Sequence, residues 1–297
     1  MAHSRGWGRK RPTLLQPRTK LAKAPSWSEP WLHKRRWGAY LANAGRGGAV
    51  WRVPHPAGVP EFARWRTRWR AITENPIIIR IVIRHLLAPH VPRAAAALQL
   101  QRTLPGAAGV AITFDDGPHP EGTPAVLEIL AAADIKATFF LVGEQVERRP
   151  ALAAEIAAQG HLIGLQGYRH RPQPVMPTKT VHHDLERGAE VVEGASGVEL
   201  AWHRPPYGLY SAAGLAAIRA RQLRPLLWSR WGKDWRRFTT PERIATRASA
   251  NVRAGDVILL HDADFYSSRG SHERTVAALR VIVRELKRQK IGTVLPV

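Results

Sequence analysis

Two adjacent carboxylates, Asp115 and Asp116, stand in the run Thr113-Phe114-Asp115-Asp116-Gly117-Pro118, directly behind a short apolar stretch. Like charges this close repel each other unless a cation or a proton holds them. One of the pair can therefore bind a metal while the other takes a proton from water, although Asp-Asp-Gly-Pro also reads as a turn. Further along, His170, Arg204-Pro205-Pro206-Tyr207-Gly208, Asp234-Trp235 and Leu259-Leu260-His261-Asp262 follow other apolar runs. Together they offer carboxylates, imidazoles and a guanidinium, the groups needed for acid–base or metal-assisted hydrolysis. The chain has no cysteine, which excludes a thiolate nucleophile, a thiolate metal site and a disulfide framework.

The elements that must position these groups begin at Gly109, where short apolar runs alternate with amphipathic stretches, the pattern of parallel strands joined by helices. Seven strands are expected, at 110–114, 137–142, 162–165, 200–203, 225–228, 257–260 and 292–295. Thr123 with Pro124, Ser211, and Thr240 with Pro241 and Glu242 each place a hydroxyl before a first helical turn. A last helix over about 273–290 buries Val276, Leu279, Ile282, Val283 and Leu286 on one face. The polar groups then recur just past the ends of successive strands, where the mouth of a strand-and-helix barrel gathers them.

In this order the motifs resemble the polysaccharide deacetylases of carbohydrate esterase family four, the NodB-homology domain, over nearly all of residues 109–297. The resemblance implies an α/β fold, a distorted (β/α)7 barrel. It also implies a divalent metal, usually zinc, and N-acetylglucosamine polymers such as peptidoglycan or chitin as substrates. Carried over by position, it makes Asp115 the general base, oriented by Arg204, and His261 the acid that protonates the departing amine. Asp116 and His170 become metal ligands, Tyr207 the residue whose backbone amide meets the oxyanion, and Trp235 and Leu259 walls of the acetyl pocket. An amide is a poor electrophile, so a metal that lowers the pKa of bound water from ~15.7 toward ~7 suits this chemistry.

Two positions depart from the pattern. Gln166 stands where the family's metal motif begins with a histidine, and its carbonyl is a ligand better suited to a harder ion than zinc. Trp231 stands where an aspartate often tunes the acid histidine, which leaves Asp234, Asp262 or Asp264 to pair with His261. His119, His161 and His203 read as rim or packing residues, His182 and His183 as solvent-facing, and Tyr266, Ser267 and Ser268 as a polar surface loop or, as the alternative, a loop that shapes a substrate groove. Three readings stay open: a metal-dependent deacetylase, a catalytically impaired glycan-binding module, and an anionic-polymer or nucleic-acid binder acting through its N-terminal arm.

That arm is set apart by charge. Residues 1–105 hold 20 Lys and Arg against three Glu, +17 of the formal +22 carried by the 297-residue chain. Residues 1–70, with seven of the eleven tryptophans interleaved among the basic residues, read as a low-complexity arm expected to be disordered. Residues 71–106 read as a short helical or linker segment and 107–297 as the deacetylase domain. The family implies a cell-wall-facing or extracellular protein. However, the charged start around Arg9, Lys10 and Arg11 lacks the apolar run of a signal peptide. The most apolar stretch, 77–88, is broken by Arg80, Arg84 and His85 and is shorter than the ~20 residues of a spanning helix.

Overall fold

The computed structural model describes residues 84–297, so the basic arm over 1–70 and the start of the 71–106 segment lie outside the described residues. The central strand, β1 (Gly109–Asp115), is buried at every position, as a strand covered on both faces must be. On one side it pairs in parallel with β2 (Thr138–Val142), followed by β3 (Leu162–Gly167), β4 (Trp202–His203) and β5 (Arg224–Pro225). On the other it pairs with β7 (Val257–His261), which carries β6 (Arg230–Trp231) at the far edge. A short β8 (Gly292–Thr293) also pairs with the start of β1.

The result is a curled parallel sheet with helices, and all seven expected strands are present. Three of them shrink to two residues, and β6 is an eighth, too short to show any period in the sequence. The helices are α1 (Pro92–Ala97), α2 (Gly122–Ala132), α3 (Gly143–Arg148), α4 (Pro150–Ala158), α5 (Thr178–Ser196), α6 (Ala212–Ala220), α7 (Pro241–Ser249) and α8 (Ser271–Arg288). Ser211 and Thr240 accept from the amides of Gly214 and Arg243 and cap α6 and α7 as expected. Thr123 does not cap. It lies inside α2, where its hydroxyl accepts from the His119 amide and donates to the Asp262 carboxylate. On α8 the buried stripe is Thr275, Ala278, Leu279, Ile282 and Leu286, with Val276 and Val283 at its border. Among the described residues, no helix is long and apolar enough to cross a membrane.

The run from β5 to β6 crosses between the two ends of the sheet, and a strap formed by residues 98–104 lies along it. Gln101 bridges Leu226 and accepts from the Leu227 amide at 2.7 Å, while Arg102 donates to the Trp228 carbonyl at 2.9 Å. Thr103 bridges Asp256, and the Leu104 amide donates to Gly255 at 2.7 Å. Ala88, Ala95, Leu100 and Leu104 belong to the same core as the strands. The core therefore takes side chains from the short helical or linker segment, which packs on the domain. Full burial of a leucine contributes roughly 1.5–3 kcal/mol, so a chain starting at residue 105 is expected to melt several degrees below one starting at residue 84. Thermal unfolding of the two forms checks this, and equal melting temperatures would place the strap outside the cooperative unit.

Candidate active site

The carboxyl ends of β1, β3 and β7 meet at a cavity of about 280 Å³ whose wall includes Asp115, Asp116, Gln166, His170, Tyr207 and His261. Asp115, the last residue of β1, faces Arg204, which is fully buried just beyond β4. Arg204 places Nη1 2.7 Å from Asp115 Oδ1 and 2.8 Å from the Thr113 hydroxyl. Its Nε and Nη2 donate to the carbonyls of Leu226 and Leu227. A guanidinium this completely satisfied has one orientation, and it fixes the carboxylate. Burial, with Asp116 adding to it, raises the Asp115 carboxyl above its ordinary range despite the opposing pull of Arg204 and His261. Asp115 is a better proton acceptor for it.

His261 ends β7 on the other side of β1, in register with Asp115. Its Nδ1 lies 2.9 Å from Asp234 Oδ1, and its backbone amide donates to Oδ2 of the same carboxylate at 2.7 Å. Asp234 is fully buried and also accepts from the Thr275 hydroxyl at 2.8 Å. Burial alone would lower the imidazole, but the carboxylates of Asp234, Asp116 and Asp115 outweigh it and raise His261 to about 10. The ring is thus protonated at neutral pH with Nε2–H available to a substrate. Of the three carboxylates open to pairing, the structure selects Asp234. Asp262 is turned to Thr123, with burial first and Asp116 next raising it to about 7, and Asp264 faces His119, His272 and the Gly270 amide.

The Asp234 pairing has a measurable consequence. Asp234→Asn removes the strongest influence that raises His261, so the alkaline limb of the pH–rate profile should move to lower pH. A limb that stays in place would mean that it reports another group.

Asp116 adopts a left-handed backbone with φ of 78°. The Gln166 side chain clasps it at two points: Oε1 accepts from the Asp116 amide at 2.9 Å, and Nε2 donates to Oδ1 at 3.0 Å. A backbone N–H can only donate, so the orientation of the amide is fixed. His170 Nε2 lies 3.1 Å from the same Oδ1. Burial favours a raised Asp116, but the charges of His170 and His261 and the bonds from His170 and Gln166 overcome it and hold the carboxyl low.

In this arrangement the residues do not fit the three-ligand zinc centre that the resemblance implies. One carboxylate and one imidazole face each other, while the Gln166 carbonyl is turned to the Asp116 amide. A metal-bound histidine normally donates its other N–H to an acceptor, yet His170 Nδ1 is buried without a partner among the described residues. Elsewhere His119, Asp264 and His272 bring three ligand atoms together. There, His119 Nδ1 accepts from the amides of Gly122 and Glu121 at 2.9 and 3.2 Å. Its proton therefore sits on Nε2, which faces Asp264, and the lone pair a metal would need is spent. This cluster latches the loop after β1 to the loop after β7.

The apolar wall comprises Trp228, Trp231, Trp235, Leu209 and Leu259, with Trp231 stacked 4.5 Å from Trp235. Trp235 and Leu259 were expected there. Trp231 was visible only as a missing aspartate, although the spacing of Trp228, Trp231 and Trp235 beyond one strand is the signal that marks the wall. Of the two readings of Tyr266, the groove rather than the bare surface loop matches the structure. Its ring stacks on His170 at 4.0 Å, its hydroxyl joins Glu144 and Gln145, and it lines the cavity with Ser267. His90, from the segment ahead of the strap, adds its ring 5.5 Å from Trp231. His161 and His203 are packing residues, held down by burial to about 4 and about 3 respectively, and His182 and His183 are exposed on α5.

A family model described as polysaccharide deacetylase matches residues 105–226. The chitooligosaccharide deacetylase of Azorhizobium caulinodans is 33% identical over 196 residues, covering 64% of this chain and 93% of that protein. The chain belongs to the polysaccharide deacetylases of carbohydrate esterase family four. Among solved family members, the Bc1960 peptidoglycan N-acetylglucosamine deacetylase superposes with a TM-score of 0.61 at 31% identity over 66% of this chain and 89% of that one. A pseudoenzyme of the same family from Bacillus anthracis superposes at 0.58 with 25% identity, covering 65% of each chain. This fold therefore occurs both in proteins named as deacetylases and in one named as a pseudoenzyme.

Proposed function

We propose that the chain hydrolyses the N-acetyl group of amino sugars in a peptidoglycan- or chitin-like glycan. The observation that carries this reading is a pair of oppositely acting groups, each locked by a fully buried partner: Asp115 by Arg204 and His261 by Asp234. A module that only binds glycan has no use for both. The names of the relatives, deacetylases of chitooligosaccharide and of peptidoglycan N-acetylglucosamine, support the substrate class.

In the proposed reaction Asp115 takes a proton from a water as its oxygen attacks the amide carbon. His261 gives the Nε2 proton to the nitrogen as the C–N bond breaks, leaving a free amine and acetate. The apolar wall of Trp231, Trp235 and Leu259 receives the methyl group and keeps bulk water away. With Gln166 engaged, only Asp116 and His170 would be left to hold a divalent ion, and the purified protein should carry less than one zinc per chain.

Acetate release from chitooligosaccharides and from peptidoglycan, with and without added zinc, tests the reading. The Gln166 clasp favours a second one, a glycan-binding module without turnover. Binding of either glycan with no acetate released under any metal condition would put that reading first.

A further inference from the structure

We infer that the loop between β6 and α7 is an anion-binding subsite that selects amino-sugar glycans bearing carboxylate or phosphate groups over neutral ones. This inference rests on the deacetylase reading and names the class of glycan it acts on. The loop cannot drift from the site, because Trp231 and Trp235 line the cavity and Asp234 between them holds His261. Apart from Thr239 and the helix-capping Thr240, its remaining side chains are Lys233, Arg236, Arg237 and Phe238. Among the described residues, none of these three cations has a carboxylate within 4.0 Å, so each keeps its charge free for a ligand.

The cations rest on aromatic faces instead. Lys233 lies 5.4 Å from the Trp231 ring, Arg236 5.9 Å from Trp235 and Arg237 5.3 Å from Phe238, which is 83% exposed. A fourth cation, Arg274 at the start of α8, donates to the Arg236 carbonyl at 3.3 Å and so adds its charge beneath the loop. Like charges gathered within five residues repel one another. The exposed Phe238 ring offers an apolar face for a pyranose beside donors for its acidic substituent. A neutral chitin-like chain would use the ring alone. A glycan carrying lactyl or peptide carboxylates, or phosphate, would use both.

The experiment uses the full chain and the Lys233→Gln/Arg236→Gln/Arg237→Gln variant, each also carrying Asp115→Asn so that binding is read without turnover. Dissociation constants are measured for neutral N-acetylglucosamine oligomers, for carboxylate-bearing peptidoglycan strands of similar length, and for a phosphorylated oligomer. The N-terminal arm, with its +17, is present in both forms, so the difference between them belongs to the loop. The acidic glycans are expected to bind the parent about tenfold more tightly than the variant at low salt, the sum of three exposed pairs of modest strength. The gap should close near 0.5 M salt as screening shortens to within roughly 5 Å, and neutral oligomers should bind both forms alike. Which acidic glycan shows the larger gap tells carboxylate from phosphate. Equal affinities of parent and variant for both acidic glycans would overturn the inference. Retained discrimination in a protein whose unsubstituted form releases no acetate would sink the deacetylase reading and leave the subsite standing.

Discussion

Asp115→Asn is expected to lower kcat/KM for acetate release by about 100-fold to 10,000-fold, the usual contribution of a positioned general base. The substitution keeps the shape of the carboxylate and removes its basicity. It also takes the counter-charge from Arg204, and breaking a buried pair at one end typically costs ~3–5 kcal/mol. The cost here should fall at the low end, because Arg204 keeps the oxygens of Thr113, Leu226 and Leu227 and Asn can still offer its carbonyl. The variant should therefore melt earlier but stay folded at assay temperature, and rates are to be compared well below its transition. His261→Ala should show a similar loss of rate, since expulsion of the amine then lacks its proton donor. Circular dichroism melts beside the rates separate chemistry from unfolding. Parent-like turnover by folded Asp115→Asn would remove it as the base.

The second large effect is expected at Gln166. Gln166→His exchanges the clasp for an imidazole, a donor well matched to zinc. Without metal the variant should be less stable than the parent, because the buried Asp116 amide loses its acceptor, a cost of about 1–3 kcal/mol. With zinc the order should reverse. A ligand that binds only the folded state stabilises by about 2.7 kcal/mol at a hundred times its Kd, so zinc should raise the melting temperature of Gln166→His by several degrees and that of the parent by much less. Titration of zinc against both forms, read by melting and by direct metal competition, decides the matter without any assay of turnover. An equal rise in the parent would show that Asp116 and His170, with Gln166 as it stands, already hold zinc tightly.

Most of the motifs were legible because each sits just past an apolar run, and parallel strands bring such positions to one mouth. Asp115, Asp116, His170, Arg204 and His261 could be placed that way from the sequence. The partner of His261 could not, since Asp262 and Asp264 are nearer along the chain. What decides for Asp234 is the pairing of β6 with β7, a two-residue strand with no period to read. The Gln166 clasp was equally hidden. A glutamine at that position reads as a poor ligand or a lost one, and only the approach of β3 to the turn after β1, 50 residues away, shows that both ends of the amide are spent on Asp116. Tyr266 read more readily as surface loop than as groove because serines follow it in sequence, while its ring is covered by His170 in space.

The strap over 98–104 bears on how this domain could be moved between proteins. The family match begins at residue 105, the natural place to cut for a fusion or a swap with a relative. A graft cut there would carry Asp115, Asp116, His170, Arg204 and His261 intact, yet leave behind the segment that bonds Leu227 and Trp228 and the His90 ring against Trp231. The Arg204 guanidinium donates to the carbonyls of Leu226 and Leu227, so a loosened crossing would reach the base through its own anchor. The portable unit of this protein is thus longer than its recognisable one, and a transplant should begin ahead of Ala88.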